Sequence, residues 1–154
     1  MQQIVKKLIE KNQTIATMES CTGGYLANTI TNVEGASQVL KVSLVTYSNE
    51  YKMKFGVKEQ TIKKYSVYSI EVAKEMSRCV SEFANSNYGI GITGKLCRKD
   101  ENNITDNDSI VYVSIYSKDE DKYTTLSIDV LNQERFLNKQ LIVDKIIRIL
   151  KGIV

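Results

Sequence analysis

Thr14-Ile15-Ala16-Thr17-Met18, then Glu19-Ser20-Cys21-Thr22-Gly23-Gly24, then Leu26, Ala27 and Ile30: this stretch decides the fold. The first five residues are β-branched enough for a strand. The apolar residues after Gly24 sit at helical spacing. A strand that passes through a glycine turn into a helix brings the backbone close to whatever occupies the turn. It also aims the free N–H groups and partial positive charge of a helix N-terminus into that space.

Working outward, Ile4, Val5, Leu8 and Ile9 form an apolar stripe, so the N-terminus reads as a short helix. Ser43–Tyr47 reads as a second strand, with Ser48 or Asn49 capping a brief helix through Lys52. Ser69 is an N-cap candidate with Glu71 in the first turn, and the helix behind it presents Val72, Ala73, Met76, Cys79, Val80 and Phe83 on one face. Tyr88–Thr93 is a short strand, and Ile110–Tyr116 and Tyr123–Val130 pair as a hairpin around Ser117–Lys122. A final helix over Gln133–Leu150 is expected to bury Phe136, Leu137, Leu141, Ile147 and Leu150. Strands alternate with helices early, and a hairpin and a helix follow. That order predicts an α/β sandwich with a mixed sheet covered on both faces. The tract Lys95–Asp108, rich in Asn, Asp and Lys, is expected to be a surface loop.

A chain of 154 residues fits one domain, and domains of that size bury roughly two-thirds of the surface their unfolded chains expose. Apolar content of 42% and charged content of 25% are those of an ordinary globular protein. A net charge of +3 without an aromatic-interleaved basic stretch argues against a nucleic-acid partner. No segment approaches the ~20 apolar residues of a membrane span, and residues 1–10 do not form a signal peptide. Cys21, Cys79 and Cys97 are an odd number without a CxxC pair, which suits a reducing compartment. The expected location is therefore the cytoplasm.

Histidine is absent. A histidine-based triad and a histidine-containing zinc site are thereby excluded, and any nucleophile must find its base among Lys, Tyr, Asp or Glu. Two readings of Ser20 are open on the local pattern. It is a nucleophile whose oxyanion would be received by neighbouring N–H groups, or it caps the helix while Gly23 and Gly24 permit close helix–sheet packing. Lys52 likewise has two readings: a base with its pKa brought down toward ~7–8 by desolvation, or a solvated lysine on a short helix beside Lys54.

Glu19-Ser20-Cys21-Thr22-Gly23-Gly24 is followed by Val33-Glu34-Gly35-Ala36-Ser37 and Val45-Thr46-Tyr47-Ser48-Asn49-Glu50-Tyr51-Lys52. Phe55-Gly56-Val57 and Val67-Tyr68-Ser69-Ile70-Glu71-Val72-Ala73 come next. In order and spacing these motifs resemble the CinA C-terminal domain family, the PncC-type nicotinamide-nucleotide amidases. The resemblance spans residues 1–154 as one domain and implies a three-layer α/β/α sandwich with frequent self-association, hence a homo-oligomer. It also implies hydrolysis of nicotinamide mononucleotide to nicotinic acid mononucleotide and ammonia, with no metal and no cofactor. On that basis Ser20 is the nucleophile, Lys52 the base and Tyr47 its assistant. Thr22, Gly23, Gly24, Thr93, Gly94 and Arg135 are assigned to the small-molecule nucleotide substrate. Lys139 stands where a second family arginine is common.

The chain departs from the family after Thr93-Gly94. Where a glycine-rich loop is usual it has Lys95-Leu96-Cys97-Arg98-Lys99-Asp100-Glu101-Asn102-Asn103. Two readings of that replacement stay open. Lys95, Arg98 and Lys99 hold a phosphate in place of backbone N–H groups, or part of the site wall is lost and the domain is a catalytically silent nucleotide- or protein-binding module.

Overall fold

The computed structural model describes residues 1–96, 109–131 and 133–154. Helix α1 (Gln2–Glu10) leads to strand β1 (Ile15–Glu19), helix α2 (Tyr25–Thr31), a 3-10 turn (Ala36–Gln38) and strand β2 (Leu40–Val45). Three helices follow: α3 (Asn49–Lys54), α4 (Glu59–Tyr65) and α5 (Ile70–Ala84). Strand β3 (Tyr88–Gly94), the hairpin β4 (Ile110–Ser117) and β5 (Lys122–Asp129), and helix α6 (Arg135–Ile153) complete the described elements.

The five strands form one mixed sheet in the order β2-β1-β3-β4-β5. Strand β1 pairs in parallel with both β2 and β3, and the β3–β4–β5 pairings are antiparallel. Period-two alternation sends side chains to two cores. Ile15, Ile90 and Ile92 pack on one face with Leu8 of α1, Leu26 of α2 and Ile142 and Ile146 of α6. Ala16 and Met18 pack on the other face with Val72, Met76 and Val80 of α5, and Ile62 of α4 lies against that cluster. The molecule is the α/β/α sandwich with a mixed sheet that the order of elements predicts.

Several boundaries shift for physical reasons. Strand β2 starts at Leu40 and ends at Val45, because its pairing with β1 runs from Ile15↔Leu40 to Glu19↔Val45. Thr46 and Tyr47 then belong to the turn into α3. Helix α4 has no counterpart among the sequence expectations, since it buries no residue and carries no apolar stripe to read. Helix α6 begins at Arg135, and Phe136 and Leu137 are 56% and 42% exposed rather than buried. The cause is Asn138. Its side chain is fully buried and closes two hydrogen bonds with Leu131, accepting from N–H at 3.1 Å and donating to the carbonyl at 2.9 Å. With Asn138 turned inward, the stripe that follows at helical spacing is Ile142, Val143, Ile146 and Leu150. Phe83, expected on the buried face of α5, is 63% exposed and meets Phe55 edge-on at 5.6 Å.

Helix α5 lies directly on β3, where Gly89 and Gly91 leave no room for a side chain. A Cβ at Gly91 would stand 2.3 Å from the Ala73 carbonyl oxygen and 2.6 Å from the Ser77 nitrogen. These neighbours are backbone and cannot rotate away. Gly91→Ala is therefore expected to destabilise the fold by about 3 kcal/mol, at the upper end of overpacking costs. Urea unfolding checks this, and a midpoint unchanged from wild type would contradict the close helix–strand contact.

Candidate active site

The connection from β1 to β2 runs through α2 on one face, and the connection from β2 to β3 runs through α5 on the other. Their departure to opposite faces puts a topological switch point at the carboxyl ends of β1 and β3, the usual ligand position in sheets of this kind. Ser20 follows β1 there, and Thr93-Gly94 closes β3 beside it.

The Ser20 turn owes its shape to two glycines. Gly23 and Gly24 both adopt left-handed backbone, with φ of 61° and 90°. The Gly23 N–H donates to the Ser20 carbonyl at 3.0 Å, and the Tyr25 N–H to that of Thr22 at 3.2 Å. On the facing segment Ser48 caps α3 by accepting the Tyr51 N–H at 3.3 Å. This start angle turns Lys52 inward as the buried residue of α3, 2% exposed. Its Nζ lies 3.1 Å from Ser20 Oγ and donates to the Thr46 carbonyl at 2.8 Å. Residues 32 apart in sequence are thus in hydrogen-bond contact in a buried environment.

Glu19 changes the expected electrostatics of the turn. Its fully buried carboxylate accepts the N–H groups of Gly24 at 3.1 Å, Leu26 at 3.2 Å and Ala27 at 2.9 Å. The first donors of α2 are therefore taken, not free as the sequence pattern suggests. Capping belongs to Glu19 as well, and Ser20 does not cap the helix: its hydroxyl meets Lys52. The backbone N–H groups of Cys21 and Thr22 stand outside both the turn bonds and the Glu19 set.

The other residues singled out in the sequence sit around this pair in different ways. Tyr47 is 67% exposed, and its hydroxyl accepts from Arg135 Nη2 at 3.4 Å. Arg135 also donates through Nη1 to the Leu96 carbonyl at 3.3 Å, so it bridges the β2–α3 turn and the end of β3. Lys139 overhangs the Ser20 turn, its Nζ 3.3 Å from where a Gly23 Cβ would stand. Thr22 is fully buried, and its hydroxyl, like that of Thr46, has no hydrogen-bond partner among the described residues. Thr93 donates to the Val67 carbonyl at 2.9 Å, and a Cβ at Gly94 would meet Val111 Cα at 2.5 Å. These two residues join β3 to its neighbours. Lys95 is 4% exposed with its ammonium 5.2 Å from the Tyr68 ring centre. Arg98, Lys99 and the rest of the expected loop lie outside the described residues.

Cys21, adjacent to Ser20, is a protonated thiol. Burial pushes its pKa up to about 12, against the smaller downward pull of a backbone N–H, then of Lys52 and Arg135. Cys79 is raised to about 11, also by burial first and then by Glu75. At pH 7.5 the thiolate of Cys21 should be about a thousandfold scarcer in the folded chain than in the unfolded one. Iodoacetamide should leave Cys21 unmodified in the native protein and alkylate it in urea, as peptide mass spectrometry would show. Fast native labelling would contradict the buried, protonated thiol.

Glu19 and Asn138 were not among the residues singled out from the sequence. The first accepts from donors five to eight residues on, outside the usual capping spacing that a sequence shows. For the second only an isolated polar residue on a helical stripe pointed the way.

An α/β/α sandwich with a buried serine–lysine contact at the carboxyl end of its central parallel strands is the class that fold and geometry define. The chain belongs to the CinA C-terminal domain family, whose model matches residues 1–154. A competence/damage inducible protein of Agrobacterium tumefaciens is similar in fold, with a TM-score of 0.90 over 97% of this chain and 90% of that one at 20% identity. A CinA superfamily protein of Escherichia coli matches with a TM-score of 0.81 over 92% and 81% at 26% identity. In sequence, the chain is 47% identical over 96 residues to a protein of Thermoanaerobacter sp. (strain X514) named as a competence-damage inducible protein. The match covers 61% of this chain and 23% of that relative. Among the described residues no helix is long and apolar enough to cross a membrane.

Proposed function

We propose that this domain hydrolyses the carboxamide of nicotinamide mononucleotide to nicotinic acid mononucleotide and ammonia, with Ser20 as nucleophile and Lys52 as base. The observation that carries the proposal is the 3.1 Å contact between Ser20 Oγ and Lys52 Nζ. It lies within the reach a base needs to take the nucleophile's proton. In the reactive state the neutral amine keeps one N–H on the Thr46 carbonyl and accepts the Ser20 proton on its lone pair. Ser20 Oγ then attacks the carboxamide carbon. The N–H groups of Cys21 and Thr22, unclaimed by Glu19, are the nearby backbone donors for the developing oxyanion. Collapse breaks the C–N bond, and the Lys52 ammonium returns the proton to the departing ammonia. Water, activated by the same amine, attacks the acyl-serine and releases the acid. Arg135 and Lys139 supply positive charge at the switch point for the phosphate. Tyr47, held by Arg135, would act from the rim by shaping that end of the site.

The test is ammonia release from nicotinamide mononucleotide with a chelator present. Turnover supports the proposal. Saturable binding by calorimetry without turnover would instead favour a silent nucleotide-binding module, the reading that the replaced stretch after Gly94 motivates. Neither binding nor turnover would remove both.

A further inference from the structure

Glu19 is fully buried beside the nucleophile, yet the proposed chemistry gives it no proton to move. None of the ion pairs among the described residues includes it. We propose that Glu19 is a positioning residue that holds Ser20 and Lys52 in register. This inference rests on the amidase reading.

The chain enters the Ser20 turn at Glu19 and leaves it at Gly24, and the carboxylate joins these two points. Its oxygens take the N–H of Gly24 at 3.1 Å, of Leu26 at 3.2 Å and of Ala27 at 2.9 Å, clamping a turn that contains a pair of conformationally free glycines. The same residue reaches the base through its backbone. The Glu19 carbonyl accepts the Thr46 N–H at 2.9 Å, and the Thr46 carbonyl accepts Lys52 Nζ at 2.8 Å. Side chain and main chain of one residue therefore index nucleophile and base to each other. The chemistry calls for a carboxylate: three donors converge on it, and an acceptor-only group satisfies them all. An amide would turn an NH2 toward a backbone N–H and loosen one side of the clamp.

Glu19→Gln is the test, with two readouts. The first is steady-state turnover of nicotinamide mononucleotide. The second is the rate at which an aryl sulfonyl fluoride labels Ser20, where the Oγ–S bond forms, fluoride leaves and the hydroxyl proton passes to Lys52. This second readout needs no natural substrate. Misplacing the nucleophile by about 1 Å should lower kcat and the labelling rate together by about 100-fold, with KM within about threefold of wild type. Ser81→Ala controls for lost stability. Its buried hydroxyl donates to the Ser86 carbonyl at 2.7 Å, at the opposite end of β3. Glu19→Gln rates within threefold of wild type would overturn the proposal, and so would an equal loss in Ser81→Ala at a matched fall in Tm. If Glu19→Gln does not fold, Glu19→Asp keeps the charge but withdraws it from the three donors, and the same outcomes apply. A wild type that labels at Ser20 but releases no ammonia sinks the amidase reading alone, and the labelling rates then decide Glu19.

Discussion

Ser20→Ala is expected to abolish ammonia release from nicotinamide mononucleotide, with a loss of kcat of at least about a thousandfold and nucleotide affinity nearly unchanged. The substitution removes one oxygen and leaves the glycine turn, the Glu19 clamp and the cations Arg135 and Lys139 in place. Without that oxygen no acyl-serine forms, and what remains is the binding and oxyanion contribution that nucleophile-less hydrolases retain. Stability should change little. Among the described residues the hydroxyl makes one hydrogen bond, worth about 1 kcal/mol net, and Lys52 keeps its contact with the Thr46 carbonyl. Ammonia release, calorimetric affinity and Tm measured on the same preparation check all three. Turnover persisting in Ser20→Ala would require a different nucleophile and would end the serine–lysine mechanism.

Lys52 carries the second large effect, and two substitutions separate its possible duties. Lys52→Met removes the amine but fills the same buried space with an unbranched apolar chain. Activity should fall by about a thousandfold or more, because a serine hydroxyl without a base is a poor nucleophile. The fold should hold its stability or gain a little, since burying a 2%-exposed amine is costly and burying a thioether is not. Lys52→Arg keeps positive charge and donors for the Thr46 carbonyl, yet a guanidinium does not give up a proton at neutral pH. If Lys52 acts as a base, arginine should be as inactive as methionine. If it acts only as a fixed charge, arginine should retain a substantial part of the rate. More than about a tenth of wild-type kcat in Lys52→Arg, with an intact circular dichroism spectrum, would refute the base assignment.

Much of the architecture was legible from periodicity. Thr14–Met18, Tyr88–Thr93 and the hairpin segments differ from the observed strands by a residue or so at each end, because alternation and β-branched content survive in any context that buries one or both faces. Elements without a buried stripe were not legible. Helix α4 only partly buries Ile62, and the start of α6 was misphased because Asn138, a polar residue, occupies the core side of its first turn. That inward turn is stabilised by Leu131, a partner outside the helix, so no periodic reading of the helix alone could find it.

The candidate site divides in the same way. The glycine turn after β1 was readable because only glycine accepts left-handed backbone without strain, and Gly23 and Gly24 both adopt it. That the helix donors beyond the turn are occupied was not readable. The acceptor that occupies them, Glu19, lies five to eight residues earlier, outside the usual capping spacing.

By itself the sequence determined that strands alternate with helices, that a tight turn follows the first strand, and that no histidine is available to activate a serine. Only the tertiary structure decided which cation meets Ser20. Arg135 reaches the Leu96 carbonyl and Lys139 the Gly23 turn, but the parallel pairing of Glu19 with Val45 and the capped start of α3 bring Lys52 onto the hydroxyl. The reason is range: periodicity and turn chemistry act over a few neighbouring residues. A 3.1 Å contact between residues 32 apart depends on sheet register and helix packing, which exist only once the chain has folded.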